Sequence, residues 1–183
     1  MDLNYRTKFI DENLEILECI HPSYQLLNEK ILKESSTFNY CHGDEMVMMD
    51  GVSTSNVKAL QTTAKTIMSH SIGEIYHWIL NFVHDYYKGF NFHINTSWVS
   101  NYKKGDYTLP HNHVPASFAF NYFIKTPKES SPLIFTTSGE TINAEEGKLV
   151  VFPASLIHEV PKNKCDDRIV LSGNIFPNVW ENI

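Results

Sequence analysis

Residues 147–176 read GKLVVFPASLIHEVPKNKCDDRIVLSGNIF. Two apolar runs in this stretch, KLVVFP from Lys148 and RIVLSGNIF from Arg168, are bounded by Gly, Pro, Asn and Asp, and such runs suit a pleated, half-buried surface and read as strands. Upstream, PLIFTT (132–137), SFAFNYFIK (117–125) and FHINTSWVSNY (92–102) have the same aromatic and β-branched character. From Phe90 onward the chain therefore predicts a sheet of six to eight strands. Before that point the pattern changes. Leu60, Ala64, Ile67, Ile72, Ile75, Ile79, Phe82 and Tyr86 recur at steps of three to five, which predicts one long amphipathic helix between Ser55 and Tyr87, with Ser55 capping its start and Gly89 ending it. A shorter helix is expected within Asn13 to Glu34, with Pro22 marking a break or an N-terminal turn. Helices first and strands afterwards predict an α+β fold, the helices packed on one outer face of an antiparallel sandwich or barrel.

At 183 residues and 42% hydrophobic content the chain reads as one domain, 1–183, in which 1–89 are mainly helical support and 90–183 form the core. A formal charge of -6 gives no broad attraction for nucleic acid or anionic lipid, so neither is expected as a partner. Cys19, Cys41 and Cys165 are odd in number, far apart and outside any Cys-x-x-Cys pair, which suits a reducing compartment. No signal-peptide pattern opens the sequence and no window approaches the length of a membrane span, so a cytoplasmic location is expected. No motif specifies an oligomeric state.

In GDYTLPHNHVPAS, His111 and His113 are separated by one residue, so on an extended strand both side chains would project from one face with α-carbons roughly 6 to 7 Å apart, and two imidazoles can grip one ion. His158, in VVFPASLIHEVP, is expected at the end of a second strand after a proline-shaped bend, where a neighbouring strand would bring it to the same ion. Three ligands on one face leave positions open, as a catalytic metal requires. Ten residues later Arg168 opens the next run with apolar residues behind it, a costly place for an unpaired charge. A hairpin between His158 and Arg168 would set the guanidinium deeper than the metal, where its planar fork takes a carboxylate. Ser172 and Asn174 share its parity and are expected in the same pocket.

H-x-H, then a histidine in PxxxxHEV, then Arg followed by Ser on the last strand resemble the Fe(II)/2-oxoglutarate-dependent dioxygenases, and within them the small phage-type and marine-bacterial branch related to prolyl hydroxylases. The resemblance spans Trp98 to Phe176 and includes W-x-x-x-Y-x-x-G-x-Y before the first ligand and YFIKTP after it. It implies a double-stranded β-helix (a jelly roll), with Fe(II), 2-oxoglutarate and dioxygen as cofactor and co-substrates. It also implies hydroxylation of a peptide or protein side chain, or of a small molecule, with decarboxylation of 2-oxoglutarate to succinate. Carried onto this sequence, His111, His113 and His158 match the metal triad, and Arg168 matches the residue that binds the far carboxylate of the co-substrate. Tyr102 matches a tyrosine that contacts it, and Ser172 and Asn174 match positions beside the arginine. Two departures stand out. His113 occupies the place of an aspartate or glutamate in most relatives, which leaves the metal more positively charged. Ala119, Phe120 and Phe123 stand where relatives often show Ser-Gly and a tyrosine; Tyr122 is expected to point to the opposite face.

The other histidines read more plainly. On the expected long helix, His70, His77 and His84 lie about 10 Å apart at each step, too far to share an ion, and they fall opposite the apolar stripe. His21, His42 and His93 have no partner at ligand spacing. Trp98 reads as core more readily than as a substrate platform. GDEMVMMDGVSTSN (43–56) reads as an exposed connector, with a flap over the pocket as the alternative. Two rival functions remain. One is a cupin-type metal-dependent oxygenase or isomerase, suggested by Gly105 and Gly147, each six residues before His111 and Pro153 respectively, but lacking the expected glutamate in VPASFAF and having no use for Arg168. The other is a non-catalytic jelly-roll binding module, disfavoured by the intact triad.

Overall fold

The computed structural model describes residues 14–47, 54–63 and 66–178. Among these residues the first half supplies β1 (Leu17–Ile20), α1 (Tyr24–Ser35), β2 (Tyr40–His42), β3 (Val57–Lys58), β4 (Leu60–Thr62) and α2 (His70–Tyr86). The second half supplies β5 (Phe92–Tyr102), β6 (Tyr107–His111), β7 (Phe118–Lys125), β8 (Leu133–Phe135), β9 (Thr141–Ile142), β10 (Lys148–Pro153), β11 (His158–Val160) and β12 (Arg168–Pro177). They form a seven-stranded sheet in the order β1-β10-β7-β12-β5-β4-β2 and a five-stranded sheet in the order β3-β6-β11-β8-β9. Neighbouring strands are antiparallel throughout. This is the expected α+β jelly-roll arrangement, and its eight strands after Phe90 are divided between both sheets.

Two apolar layers follow from strand alternation. One face of the large sheet, with Val99, Phe120, Tyr122, Leu149, Val151 and Leu171, packs against Leu27 and Ile31 of α1 and Ile72, Ile75, Ile79 and Val83 of α2. The opposite face, with Phe123, Val150, Phe152 and Val170, meets Leu133, Phe135 and Val160 of the small sheet. Full burial of each such side chain contributes about 1.5–3 kcal/mol. The helices thus lie on one outer face, as expected. Tyr122 points to that helical side, where its hydroxyl donates to Asn28 Oδ1 (2.8 Å) while Asn28 Nδ2 donates to the Ile124 carbonyl (2.8 Å).

The long helix expected from Ser55 is shorter than the spacing suggested. β4 pairs with β5 through Leu60↔Asn101, and β3 pairs with β6, so the residues from Val57 to Thr62 are held by sheet partners that override their helical periodicity. Ser55 caps no helix; its hydroxyl donates to Gln61 Oε1 (2.8 Å). The cap of α2 is Ser69, whose side chain accepts from the Ile72 N–H (3.3 Å), and the Glu34 carboxylate binds both the Ser69 and Ser71 hydroxyls. The shorter helix begins after Pro22, at Tyr24, and the segment before it forms β1; Asn13 lies outside the described residues, as do Ala64 and residues 48–53 of the 43–56 segment. His70, His77 and His84 are exposed on α2, opposite its buried stripe. Among the described residues no helix is long and apolar enough to cross a membrane.

Candidate metal centre and the cavity behind it

His111 ends β6 and His158 begins β11, and the two residues pair directly across the small sheet. The register slips between this pair and Val160↔Thr108, leaving one extra residue on β6, so that Thr108 and His111 both reach the same cavity although they are three apart. His113 lies beyond the end of β6, not on the strand as its spacing implied. It is fixed from the neighbouring turn, its N–H donating to the Ala154 carbonyl (2.8 Å), and its ring stacks on Trp98 with centroids 5.9 Å apart. His158 opens its own short strand after the turn that follows β10; it does not end the strand before it.

The three rings converge. One ligand nitrogen from each lies within 4.8 Å of the others, and His113 Nε2 is 3.3 Å from His158 Nε2. Nδ1–H of His111 donates to the Leu109 carbonyl (2.8 Å), and Nδ1–H of His158 donates to the Leu156 carbonyl (3.0 Å). A carbonyl only accepts, so each of these imidazoles carries its proton on Nδ1 and presents a bare Nε2 lone pair inward, the tautomer that coordinates a metal. Burial holds the rings neutral. His113 is pushed down to about 2 by burial and then by the adjacent His111 and His158, His158 to about 4 chiefly by burial, and His111 is lowered by burial against the opposing effect of its Leu109 bond.

Behind the triad Arg168 is 1% exposed. It stands opposite Tyr102 in the β12–β5 register, its guanidinium 4.7 Å from the Tyr102 ring centroid and 5.4 Å from that of Phe123. Nε–H donates to the Ser131 carbonyl (2.8 Å), whereas Nη1 and Nη2 are buried with no hydrogen-bond partner among the described residues. Burial pushes its pKa below the usual guanidinium value, with Tyr102 opposing the shift. The adjacent acids do not neutralise it: Asp167 pairs with Lys103 and Lys125, and Asp166 accepts from the Lys104 N–H. The expected hairpin between His158 and Arg168 is absent. β11 pairs with β6 and β8, and β12 with β5 and β7, so the chain crosses between sheets and the arginine reaches the cavity from the opposite wall.

Tyr102, Arg168 and Ser172 line this cavity with the three histidines. The Tyr102 hydroxyl shares a hydrogen bond with Thr108 Oγ1 (2.7 Å), and Ser172 Oγ donates to Asn121 Oδ1 (2.7 Å). Asn174 is on the same face of β12 but one step beyond the cavity wall, where its Nδ2 donates to Thr96 Oγ1 (2.7 Å); parity places it on the face, and distance along the strand removes it from the pocket. Trp98 is part of the wall as well as of the packing. Asn121, Thr108, Leu133 and Val160 also line it and carry no motif. The one readable signal was Asn121, a polar residue at an inward position inside the aromatic run FAFNYFIK. Gly105 and Gly147, whose spacing suggested a cupin, have φ of 96° and 80°, a backbone requirement that accounts for glycine without a family motif.

No protein-family model and no curated protein sequence matches the chain. Solved structures match its fold. A viral collagen prolyl hydroxylase from Paramecium bursaria Chlorella virus-1, in its 2-oxoglutarate complex, superimposes with a TM-score of 0.59 over 87% of this chain and 94% of its own, at 14% identity. A prolyl hydroxylase from Trichoplax adhaerens, bound to a peptide fragment of the hypoxia inducible factor oxygen degradation domain, gives 0.66 over 87% and 82%, at 10% identity. HygX from Streptomyces hygroscopicus, with nickel, 2-oxoglutarate and hygromycin B bound, gives 0.63 over 90% and 83%, at 9% identity. At such identities the likeness is one of fold alone: the chain shares the two-sheet jelly-roll arrangement of these structures.

Proposed function

We propose that this chain is an Fe(II)- and 2-oxoglutarate-dependent dioxygenase. The observation that carries the reading is the pairing, in one cavity, of three inward-facing neutral imidazoles with a buried guanidinium whose two terminal nitrogens have no partner among the described residues. Either half alone has ordinary explanations. Together they fit a metal ion and a dicarboxylate that reaches from it to the arginine.

His111, His113 and His158 would hold the metal, and Arg168 would take the far carboxylate of 2-oxoglutarate bidentately. Bound Fe(II) supplies the oxygen activation that couples conversion of 2-oxoglutarate to succinate and carbon dioxide with insertion of one oxygen atom into a substrate C–H bond. The chain supplies orientation and dryness. Tyr102 and Phe123 hold the guanidinium plane, the Tyr102–Thr108 pair offers hydroxyls beside it, and Val57, Leu133, Val160 and Val170 keep water from the deep end. Ser172 lies on the wall between arginine and triad, whereas Asn174 has no direct part in this reading. The solved neighbours hold a peptide in one case and hygromycin B in another, which supports a substrate of peptide or small-molecule type. The shared packing of helices and sheets supports one functional domain, with the residues after 90 as its catalytic core, and three free cysteines support a reducing, cytoplasmic setting.

Purified protein given Fe(II), oxygen and 2-oxoglutarate should release succinate and carbon dioxide in equal amounts, even slowly without its substrate. No release above that of the Arg168→Ala variant would sink the proposal.

A further inference from the structure

The cavity's charges are one-sided. Its walls hold Arg168, three imidazoles, the Trp98 indole, the Asn121 amide and the hydroxyls of Tyr102, Thr108 and Ser172, and among the described residues no carboxylate. With His113 where an acid would supply a negative charge, a divalent ion and the guanidinium bring three positive charges, and 2-oxoglutarate returns two. One positive charge is left over in a cavity of low dielectric, where an uncompensated charge is costly. The neutral donors point to the same need. Asn121 is 9% exposed and spends its Oδ1 on Ser172, leaving its amide N–H groups without a partner among the described residues. Trp98 is half-buried, stacks on His113 and stands opposite Ser172 in the β12–β5 register, and its indole N–H has no partner among the described residues. Arg168 reaches the cavity two register steps away, at Tyr102.

We propose that the triad side of the cavity is an anion subsite that takes a carboxylate carried by the substrate, with Asn121 and Trp98 as its neutral donors. This inference rests on the metal and 2-oxoglutarate reading above. His113 sets the charge of the subsite, and Asn121 and Trp98 determine which anion shape it accepts. Apart from Arg168, already matched to the co-substrate, no lining residue would compete as a cation for the substrate group.

The test uses the whole chain loaded with Co(II) under anaerobic conditions. Metal and 2-oxoglutarate binding are first measured by calorimetry; failure there defeats the functional reading and the subsite with it, whereas failure of the anion titration that follows defeats the subsite alone. With 2-oxoglutarate saturating, acetate and chloride are then titrated while the visible Co(II) absorption is followed. Acetate should shift the spectrum saturably and bind at least tenfold more tightly than chloride. Asn121→Ala and Trp98→Phe should each weaken acetate severalfold while leaving 2-oxoglutarate affinity within twofold, and His113→Asp should weaken it at least tenfold. Absence of an acetate response, equal responses to acetate and chloride, or acetate affinity unchanged in both Asn121→Ala and Trp98→Phe would overturn the proposal, whether or not His113→Asp folds.

Discussion

His111 and His158 face each other across neighbouring antiparallel strands with ring centroids 4.4 Å apart, and each donates its Nδ1–H to the carbonyl two residues before it. This pair is built before any metal arrives, because strand register sets the ring positions and the carbonyls set the tautomers. His113 joins from a turn, held by one main-chain bond and the face of Trp98.

That asymmetry predicts a ranking. His111→Ala and His158→Ala should each cost more metal affinity than the roughly 10–100-fold that loss of a ligand's hydrogen-bond partner costs. His113→Asp keeps a ligand atom and should retain metal binding. Calorimetric titration with Co(II) reads all three, and a His158→Ala protein that binds metal like the parent would contradict the ranking.

Arg168 yields a prediction of opposite signs. An unpaired buried charge destabilises the ligand-free protein, so Arg168→Met should raise its unfolding free energy by about 1 to 4 kcal/mol. The same substitution should abolish the rise in Tm that 2-oxoglutarate gives the metal-loaded parent. Denaturant unfolding with and without 2-oxoglutarate checks both; a large loss of stability in the ligand-free variant would show that the bond to Ser131 outweighs the charge.

The histidines set a pH dependence. Their folded pKa values lie below the ordinary 6.5, so between the two values the unfolded chain binds more protons than the folded one. Stability of the metal-free protein should therefore be full above about pH 6.5 and fall as pH drops through 6 towards 4, each such histidine contributing up to about 1.4 kcal/mol per pH unit. Metal affinity should be nearly flat between about pH 6.5 and 8, since the imidazoles have no protons to release. Unfolding midpoints and metal titrations across that range test this, and a metal affinity that climbs tenfold per pH unit above 6.5 would count against it.

Two glycines separate strain from space. Gly105 and Gly147 both have positive φ, but a Cβ at Gly105 meets nothing within 4 Å whereas one at Gly147 would lie 2.3 Å from Tyr24 Cγ. Gly105→Ala should cost about 1–2 kcal/mol, the left-handed penalty alone, and Gly147→Ala roughly 2–4 kcal/mol once the clash with α1 is added. Equal losses would mean that Tyr24 moves aside freely.

The strands carrying the site were legible because β5, β7, β10 and β12 are long, β-rich and bounded by turn residues, and Arg168 was legible as a charge heading an apolar run. Leu60 and Ile67 misled because their spacing matches a helix face, and only pairing with Asn101 on β5 makes Leu60 a strand residue. Strand parity placed Ser172 correctly, but it carries no information on how far along β12 the pocket extends, and Asn174 fell outside. The crossing of the chain between sheets after His158, and the bulge that aligns Thr108 with His111, depend on partners distant in sequence.

If one cavity joins a metal triad to a carboxylate-binding arginine, 2-oxoglutarate binding must depend on both. Anaerobic calorimetry of 2-oxoglutarate binding to the parent, His158→Ala and Arg168→Ala, each with and without Fe(II), tests it most directly. Binding is expected only to the metal-loaded parent, with Arg168→Ala still taking up Fe(II) normally and His158→Ala taking up neither. Metal-independent binding of 2-oxoglutarate, or its survival in Arg168→Ala, would contradict it.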